Sequence, residues 1–249
     1  MLGGLVLAVV LSPGWPRFRK TFFDGGVFRE TFAELPAALW INVKIFLIAE
    51  AIVLTAGLVL AVCRSLPGPV FFPIRLLAAI YSDIFRSIPP LLLILMLGFG
   101  APALGLAGLP TSVFFWGTIA LALIYTSFVS EVYRAGIDSI HPGQNAAARS
   151  LGLSRLQSLR FVVIPQAVRR IVPPLLNDFI GLQKDTALVS TLGIVEVLRT
   201  AQIEASGNFN YTPYVAAAVI FLILTIPQTR LVDWLRTRAD VADIRISDG

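Results

Sequence analysis

The sequence contains few of the side chains on which enzymes and metal sites depend: one cysteine, one histidine and three lysines among 249 residues. A single cysteine, Cys63, excludes a disulfide within the chain and a metal cage built from cysteines. With His141 alone, we expect neither a histidine metal site nor a Ser-His-Asp triad within a span. Lys20, Lys44 and Lys184 do not follow a G-x-x-x-x-G pattern, so the chain has no phosphate-binding loop for ATP.

Charge is also scarce, because 14% of the residues are charged and 56% are hydrophobic. This composition excludes a soluble globular domain. The net charge of +5 could suggest nucleic acid, but the arginines lie at the ends of apolar runs and no aromatic-basic surface accompanies them. The sequence therefore predicts an all-α integral membrane protein whose partner is the lipid bilayer, with no nucleic acid.

The apolar runs predict about five transmembrane helices, since about 20 residues cross the hydrocarbon core. They cover residues 36–62, 70–98, 113–132, 162–182 and 214–234. Pro89 and Pro90 must break or kink the second run, and Pro173 and Pro174 bend the fourth. Residues 184–202 are less apolar and predict a re-entrant or cavity-lining helix.

The basic residues predict the orientation of the chain. Segments that would face the cytoplasm carry Arg64, Arg75, Arg134, Arg149, Arg155, Arg160, Arg169, Arg170, Arg236 and Arg238. Loops 99–112 and 203–213 carry none, so the positive-inside rule places the carboxyl terminus in the cytoplasm and the amino terminus outside. We predict an extracytoplasmic or interfacial segment 1–35, a transmembrane domain 36–236 and a cytoplasmic tail 237–249.

The amino-terminal segment has two helical patterns. Met1–Leu11 is apolar but half the length of a span, which favours a partial or interfacial helix. The basic cluster that follows it, Arg17–Lys20, would precede the apolar run in a signal peptide. This cluster would favour a cytoplasmic amino terminus, contrary to the orientation given above. The positive-inside rule counts all short loops, so the larger set of basic residues determines the predicted orientation. Phe28–Leu35 has a helical polar and apolar alternation and is predicted to lie along the membrane surface.

A polar, basic stretch at residues 138–165 separates the third and fourth runs. Its pattern predicts a short helix packed through small residues, a glycine turn, a second helix and a proline where the next span begins. The residues that carry the pattern are Gly143, Ala146, Ala147, Ala148, Gly152, Leu153 and Pro165. Such a helix-turn-helix can dock as a rigid unit in a partner's groove; the alternative is an ordinary amphipathic surface loop.

Ionisable residues inside the apolar runs are candidates for a transport pathway, because they are costly in hydrocarbon and usually face a cavity or a partner. Asp83 and Arg86 lie three residues apart on one helix face, beside the predicted break. Arg86 either binds the carboxylate of a transported solute or pairs with Asp83 to hold the bend.

A second candidate group lies near the end of the fourth run. Asp178, Leu182 and Asp185 share one helix face at positions i, i+4 and i+7, with Lys184 beside them. An acidic cavity there could hold an ammonium group or a cationic side chain. The alternatives are a helix-terminus cap formed by Lys184 and Asp185 and a lock between subunits.

Two further acidic residues are expected to have structural roles. Glu50 is expected to face a neighbouring helix together with Asn42 or Thr55. Glu131 and Arg134 are expected to brace the docking stretch.

Several short motifs resemble those of one family. They are Phe85–Leu91 (F-R-x-x-P), Glu131–Ile137 (E-V-x-R-A-G-I), Pro165–Ala167 (P-Q-A), Pro173–Asn177 (P-P-x-x-N) and Lys184–Leu188 (K-D-T-x-L). With the stretch 138–165, which is similar to the EAA loop, they resemble the permease subunits of bacterial ABC importers for polar amino acids. The resemblance covers about Pro36 to Trp234, and Ala146 stands where the family has its leading Glu.

The resemblance implies a subunit of the bacterial cytoplasmic (inner) membrane that pairs with a second copy or a paralogous permease. It implies two P-loop ATPase subunits that dock on the EAA loop and bind ATP and Mg, and an extracytoplasmic binding protein that delivers the amino acid. The chain itself would be no enzyme and would hold no cofactor or metal.

Two other classes of membrane protein predict different sequence features. A secondary transporter or channel that works without an ATPase predicts an internal repeat, and none is visible. A membrane-embedded enzyme needs a nucleophile with a base or a metal cluster within a span.

Overall fold

The computed structural model describes residues 10–105 and 107–247, and within these ranges the chain folds into ten α-helices. They are α1 Trp15–Phe22, α2 Gly25–Ser65, α3 Phe72–Ser87, α4 Pro90–Ala103, α5 Val113–Asp138, α6 Pro142–Ser150, α7 Arg155–Ser158, α8 Ile164–Asp185, α9 Val197–Asn208 and α10 Thr212–Ser247. Short 3-10 segments cover Pro69–Phe71 and Thr186–Leu192, and a π-turn covers Leu159–Val163. Residues 1–9 of the predicted amino-terminal helix lie outside the described residues.

Three continuous helical stretches are long and apolar enough to cross a membrane: Trp15–Ser65, Val113–Asp138 and Thr212–Arg238. Two bent helix pairs raise the number to five if each pair forms one span. The first pair joins α3 to α4 at 101°, and the second joins the helical stretch Arg155–Leu192 to α9 at 48°. The predicted all-α membrane fold with about five spans is confirmed.

Helix α5 lies at the centre of the bundle and packs against α2, α3, α4 and α8. Its buried side chains, including Leu121, Ile124 and Val129, join Ile45 and Val53 of α2 in one apolar core. Small residues allow this close packing, as is usual for helices in membranes. A Cβ placed at Gly57 of α2 would lie 2.9 Å from Cγ1 of Val129.

The amino-terminal part of α2 differs from the prediction. Phe28–Leu35 is not a separate helix, because α2 runs from an Asp24 cap to Ser65 with Pro36 inside it. A proline inside a helix removes one backbone hydrogen bond. Packing on both sides of Pro36 compensates, since Leu35 and Ala38 are buried against α9 and α10. Helices α2 and α10 run through the predicted divisions at 35/36 and 236/237, so those domain boundaries stay predictions.

The second predicted span is broken rather than kinked. Helix α3 ends at Ser87, and α4 begins at Pro90 and runs for 14 residues in another direction. Ile88 and Pro89 between them have extended backbone angles, because a residue before proline is driven out of the helical region. The break was predicted from Pro89 and Pro90, whereas its angle of 101° was not.

Candidate functional site

The predicted docking stretch forms a compact pair of short helices, α6 and α7, between α5 and α8. Helix α6 begins at Pro142, and the Nδ1 atom of His141 accepts a hydrogen bond from the Gly143 amide at 3.0 Å. The sole histidine is therefore a helix cap. A Cβ at position 143 would lie 2.9 Å from the same Nδ1 atom, which explains the glycine there.

The turn after α6 has the geometry of a Schellman motif. The amide of Leu153 donates to the carbonyl of Ala148 at 3.2 Å, and the amide of Gly152 donates to that of Arg149 at 3.1 Å. Gly152 has φ +86°, a conformation that glycine adopts without steric cost. The predicted glycine turn therefore has a specific hydrogen-bonded structure.

Helix α7 is held by a capping box. Ser154 accepts a hydrogen bond from the Gln157 amide, and the Gln157 side chain accepts one from the Ser154 amide at 2.8 Å. The hydroxyl of buried Ser158 donates to Asn145 of α6 at 2.7 Å. These bonds fix the two short helices to each other as one unit, which we call the docking segment (residues 142–163).

The docking segment exposes large apolar side chains. Leu151 is 84% exposed, Leu156 74% and Phe161 62%. Three such residues on a segment otherwise rich in polar groups form a surface that a protein partner can cover.

The alanine triplet packs differently from the prediction. Ala148 is 4% exposed, but Ala146 and Ala147 face solvent. Consecutive positions on a helix point about 100° apart, so three neighbours cannot share one contact. Pro165 lies at the start of α8, as predicted.

The docking segment is also tied to the membrane bundle. Arg170 of α8 donates to the carbonyl of Ser139 at the end of α5 at 2.5 Å. Val163, the last residue of the docking segment, packs against a small buried cluster of Ile140, Ala167 and Ile171. The segment is therefore packed against α8 and against the residues that follow α5.

Three arginines surround one carboxylate in the second half of α5. Glu131 of α5 bonds Arg64 of α2, Arg134 of α5 at 2.9 Å and Arg86 of α3 at 3.4 Å. Arg64 also donates to Ser82 at 3.2 Å. We call Glu131 and its three arginines the arginine brace, because it joins α2, α3 and α5.

The ion pair between Arg86 and Glu131 excludes the predicted alternative in which Arg86 pairs with Asp83. Asp83 and Arg86 do not pair, since Arg86 reaches Glu131 and Asp83 lies exposed on α3. Helical spacing would allow a pair between residues i and i+3 on α3. Arg86 instead pairs with Glu131 across the helix interface, where two other arginines bind the same carboxylate. Glu131 and Arg134 make their ion pairs with α2, α3 and α5, so their bracing of the docking stretch stays a prediction.

A second group of ionisable side chains lies between α2, α5 and α8. The Tyr125 hydroxyl donates to Asp185 at 2.9 Å and also interacts with Asp178 and Glu50. Glu50 and Asp178 act on each other electrostatically across the helix interface. A Cβ at Gly181 would lie 3.0 Å from the Tyr125 oxygen, so the glycine admits the phenol between the two aspartates.

This acidic cluster (Glu50, Tyr125, Asp178 and Asp185) has unused acceptor capacity. In the described part of the chain, the Oδ2 atom of Asp178 is buried and has no hydrogen-bond partner. Buried carboxylate oxygens are costly unless a donor or cation approaches them. The described residues hold no group of three or more His, Cys, Asp or Glu arranged for a metal ion.

The cluster matches the sequence prediction in part. Asp178 and Asp185 do face the same partner, but Leu182 between them is fully buried in the core. Lys184 is exposed and acts on Asp185 electrostatically, while the hydrogen bond of Asp185 goes to Tyr125.

Glu50 faces a neighbouring helix, α8, as predicted, but Asn42 and Thr55, which were expected beside it, make their bonds elsewhere. Thr55 bonds its own helix backbone, and Asn42 bonds Glu196 at 2.9 Å and Thr186 at 3.0 Å. Glu196 is fully buried and also caps α9 by accepting from the Arg199 amide at 2.8 Å. Sequence reasoning missed this network, although an acid three residues after Gly193 and just before a helix is a capping signal.

Taken together, these features define a multi-span helical membrane protein that presents a rigid, partly apolar surface between two spans. The chain belongs to the family of binding-protein-dependent transport system inner membrane components, which it matches over residues 53–241. The resemblance inferred from the short motifs is thus confirmed.

Individual relatives agree with this family. The chain is 36% identical over 185 residues to the putative glutamine transport system permease protein GlnP of Rickettsia typhi, covering 74% of this chain and 83% of the relative. It is 32% identical over 203 residues to the arginine transport system permease protein ArtQ of Bacillus subtilis, covering 80% and 90%. The structure of an amino acid ABC transporter solved with histidines superposes with a TM-score of 0.73 at 33% identity, covering 87% of this chain and 98% of that one.

Proposed function

We propose that the chain is the permease subunit of an ATP-driven importer for polar amino acids. The observation that carries the proposal is the docking segment, a pre-formed pair of capped helices that exposes Leu151, Leu156 and Phe161. The names of the relatives, which refer to glutamine and arginine transport, support the class of substrate.

The proposed assembly contains two permeases, this chain with a second copy or a paralogue, and two P-loop ATPase subunits that bind ATP and Mg. An extracytoplasmic binding protein delivers the amino acid. The assembly lies in the bacterial cytoplasmic membrane, with the docking segment and the carboxyl terminus on the cytoplasmic side. The arginines that flank the spans support this orientation, and the absence of a P-loop from the sequence supports a separate ATPase.

The docking segment can transmit movement to the transport pathway. Its Val163 packs against Ile140, which follows α5, and against Ala167 and Ile171 of α8; the same two helices carry Tyr125, Asp178 and Asp185. Displacement of packed helices by a partner is a common mechanism of switching between two states. An ATPase that moves the segment would therefore change the surroundings of the acidic cluster.

The acidic cluster is the proposed cation-binding part of the pathway. A charged side chain at the centre of a bilayer costs about 2.5–3.5 kcal/mol on insertion scales, so these carboxylates are expected to face water or a bound cation. Asp178 and Asp185 would bind the ammonium group or the cationic side chain of the amino acid. Lys184 would lie beside them, and Asp83 and Arg86 remain candidates further along the pathway.

Co-purification tests the docking role. The tagged chain is purified in mild detergent from cells that express the whole transporter, and its partners are identified by mass spectrometry. We expect a P-loop ATPase with the wild-type chain and a loss of at least about tenfold in ATPase recovery with Gly152→Leu, which strains the turn and fills its surface. A chain that repeatedly came alone would contradict the proposal.

Gly68→Leu is the matched control. Gly68 has the same φ of +86° as Gly152, and a Cβ at either position meets no atom within 4 Å. Gly68 also has ψ 162°, a conformation almost restricted to glycine, so leucine is strained there no less than at Gly152, but Gly68 lies in the loop between α2 and α3. We expect Gly68→Leu to retain the ATPase; equal losses in both variants would assign the effect to strain rather than to docking.

A further inference from the structure

A cavity of about 550 Å³ lies where the 3-10 segment Thr186–Leu192 meets α9. It is lined by Ser190, Thr191, Gly193, Arg199, Gln202 and the ring of Phe99. The segment packs against Gly117, 21 residues before the end of α5. At about 1.5 Å per residue, the cavity is roughly 30 Å from the docking segment, at the opposite end of the bundle.

The polar groups of the cavity favour an anion. Arg199 donates to Gln202 at 3.1 Å, and among the described residues no carboxylate lies within ion-pair distance of its guanidinium. No acidic side chain lines the cavity in the part of the chain that the structure describes. The nearby acid Glu196 is fully buried and engaged with Asn42 and the first turn of α9. The positive charge of Arg199 is thus not neutralised locally.

A second observation points to a missing partner. Ser190 is 2% exposed, and its hydroxyl has no hydrogen-bond partner within the described residues. A buried hydroxyl without a partner costs about 1–3 kcal/mol, so such groups are rare unless a ligand or water meets them. Ser190 and Arg199 line the same cavity, where one ligand can satisfy both.

The wall of the cavity is rigid. Leu192 fills the space next to two glycines: a Cβ at Gly98 would overlap its side chain, and one at Gly117 would lie 3.1 Å from its Cδ1 atom. On the other side, Glu196 accepts from the Arg199 amide at 2.8 Å and fixes the start of α9. Donors held in place in this way bind a ligand with less loss of entropy.

We propose that this cavity is the entry site of the pathway and binds the carboxylate of the incoming amino acid. The guanidinium of Arg199 faces the two carboxylate oxygens, since its planar fork matches that geometry, and the Ser190 hydroxyl donates a further hydrogen bond. The proposal rests on the proposed function and extends it to a named subsite.

The position of the site implies that the amino acid meets a cationic group, Arg199, before it meets the acidic cluster. Ser190 is the fifth residue of the 3-10 segment that follows Asp185 of the acidic cluster, so the two backbones are about 10 Å apart at about 2.0 Å per residue. The α-carboxylate and the α-ammonium group of one amino acid are bonded to the same carbon, so they cannot reach both sites at once. A zwitterion would therefore be bound first by its carboxylate at Arg199 and then by its ammonium group at the acidic cluster.

Cysteine labelling tests the site directly. The whole transporter, with Cys63→Ala to remove the native thiol, carries Thr191→Cys in nanodiscs that leave both faces accessible. Thr191 is exposed and its hydroxyl bonds its own segment, so the change leaves Ser190 and Arg199 in place. We expect an anionic methanethiosulfonate reagent to react about fivefold faster than a cationic one, because of the nearby guanidinium. Arg199→Gln should remove this preference and Arg199→Lys should retain most of it.

Protection by amino acids tests the ligand. L-Glutamine and L-arginine should slow the labelling of Thr191→Cys, whereas L-glutamine amide, which lacks the carboxylate, should not. Ser206→Cys, exposed on α9 about 10 Å further along the helix, serves as the control and should show neither charge preference nor protection. If Thr191→Cys fails to assemble with the ATPase, Phe99→Cys, at an exposed position on the cavity wall, replaces it.

The outcomes separate the two proposals. Equal rates for both reagents, or equal protection by glutamine and its amide, would overturn the entry site. If ATP-driven uptake persisted in the same samples, the proposed function would stand while the site failed. Carboxylate-dependent protection without any ATP-driven uptake would support the site and contradict the proposed function.

Discussion

Glu131 and Asp178 are carboxylates on neighbouring spans, α5 and α8, but their surroundings are opposite. Glu131 is bonded by Arg64, Arg86 and Arg134, whereas Asp178 has a buried oxygen without a partner in the described chain and acts electrostatically on Glu50. A carboxylate with three cationic partners holds helices together. One without such a partner is costly for the fold and is retained where a ligand supplies the charge.

The difference coincides with position in the fold. The arginine brace lies where α2, α3 and α5 converge, in the last third of α5. The acidic cluster lies nearer the middle of α5, at Tyr125, six residues before Glu131, where α8 faces α2. Removal of charge should therefore reduce stability at the brace and reduce transport at the cluster.

The largest effect on stability is expected for Glu131→Gln. The change leaves three arginines beside one another with their shared partner neutral, and loss of one member of a partly buried charge network costs about 3 kcal/mol of unfolding free energy. Denaturant unfolding of the purified chain in detergent measures the loss. Glu30→Gln, an exposed acid on α2, is the control and should change stability by less than about 0.5 kcal/mol. Equal losses of unfolding free energy in the two variants would show that the arginine brace does not stabilise the fold.

Asp178→Asn should give the opposite result. The amide removes a buried charge that has no cation beside it, so we expect stability to be equal or slightly higher. Uptake of L-arginine should fall about tenfold, equivalent to about 1.4 kcal/mol, because the ligand loses an ionic contact. Uptake into proteoliposomes and denaturant unfolding are measured on the same preparation. Asp233→Asn on the exposed face of α10 serves as the control, and unchanged uptake in Asp178→Asn would remove this residue from the pathway.

Tyr125→Phe sharpens the comparison within the cluster. It removes the hydrogen bond to Asp185 and keeps the ring packed against Gly181, so a loss of about 1 kcal/mol in unfolding free energy is expected. The rate of uptake should fall by more than the factor expected from the loss of folded protein, because Asp178 and Asp185 both lose the hydroxyl that lies beside them. Tyr214→Phe, on an exposed ring at the start of α10, should leave both properties unchanged.

The smallest effect is expected within the brace. Arg134 is 39% exposed and pairs with Glu131 on the same helix, whereas Arg64 is 15% exposed and reaches it from α2. Arg134→Gln should therefore cost less than about 0.5 kcal/mol and Arg64→Gln about 1–2 kcal/mol. Thermal unfolding of the two variants in one detergent gives the order, and a reversed order would contradict the assignment of the brace as a link between helices.

Local signals predicted the docking segment well. Gly152 marks a turn with positive φ and Pro165 marks the start of α8, as predicted. The capping box of Ser154 and Gln157 is a local pattern of the same kind, but it was not predicted. These features depend on residues a few positions apart, so the sequence determines them directly. The predicted packing of the alanine triplet was wrong. The side of α6 that contacts α7 depends on the geometry of the turn between them, and the spacing of the alanines does not define that geometry.

Partners across helices were predicted poorly. Arg64 and Glu131 are 67 residues apart, and nothing in their neighbourhoods indicates that α2 and α5 bring them together. Helical spacing favoured the local pair of Asp83 and Arg86, and the tertiary contact prevailed. In the same way, Pro36 suggested a helix boundary, and the packing of α2 against α10 maintained a continuous helix instead. The sequence pattern therefore identifies residues that can form an ion pair, but the packing of the helices determines which of them do.

We infer that this chain moves amino acids by using ATP bound on a separate subunit. Uptake of radiolabelled L-glutamine and L-arginine is measured in proteoliposomes that contain the co-purified transporter and its binding protein, with and without ATP and Mg inside. We expect uptake that requires ATP and that fails when Gly152→Leu prevents docking of the ATPase. Equal uptake without ATP, by the chain alone, would contradict this mechanism and identify a secondary transporter or channel.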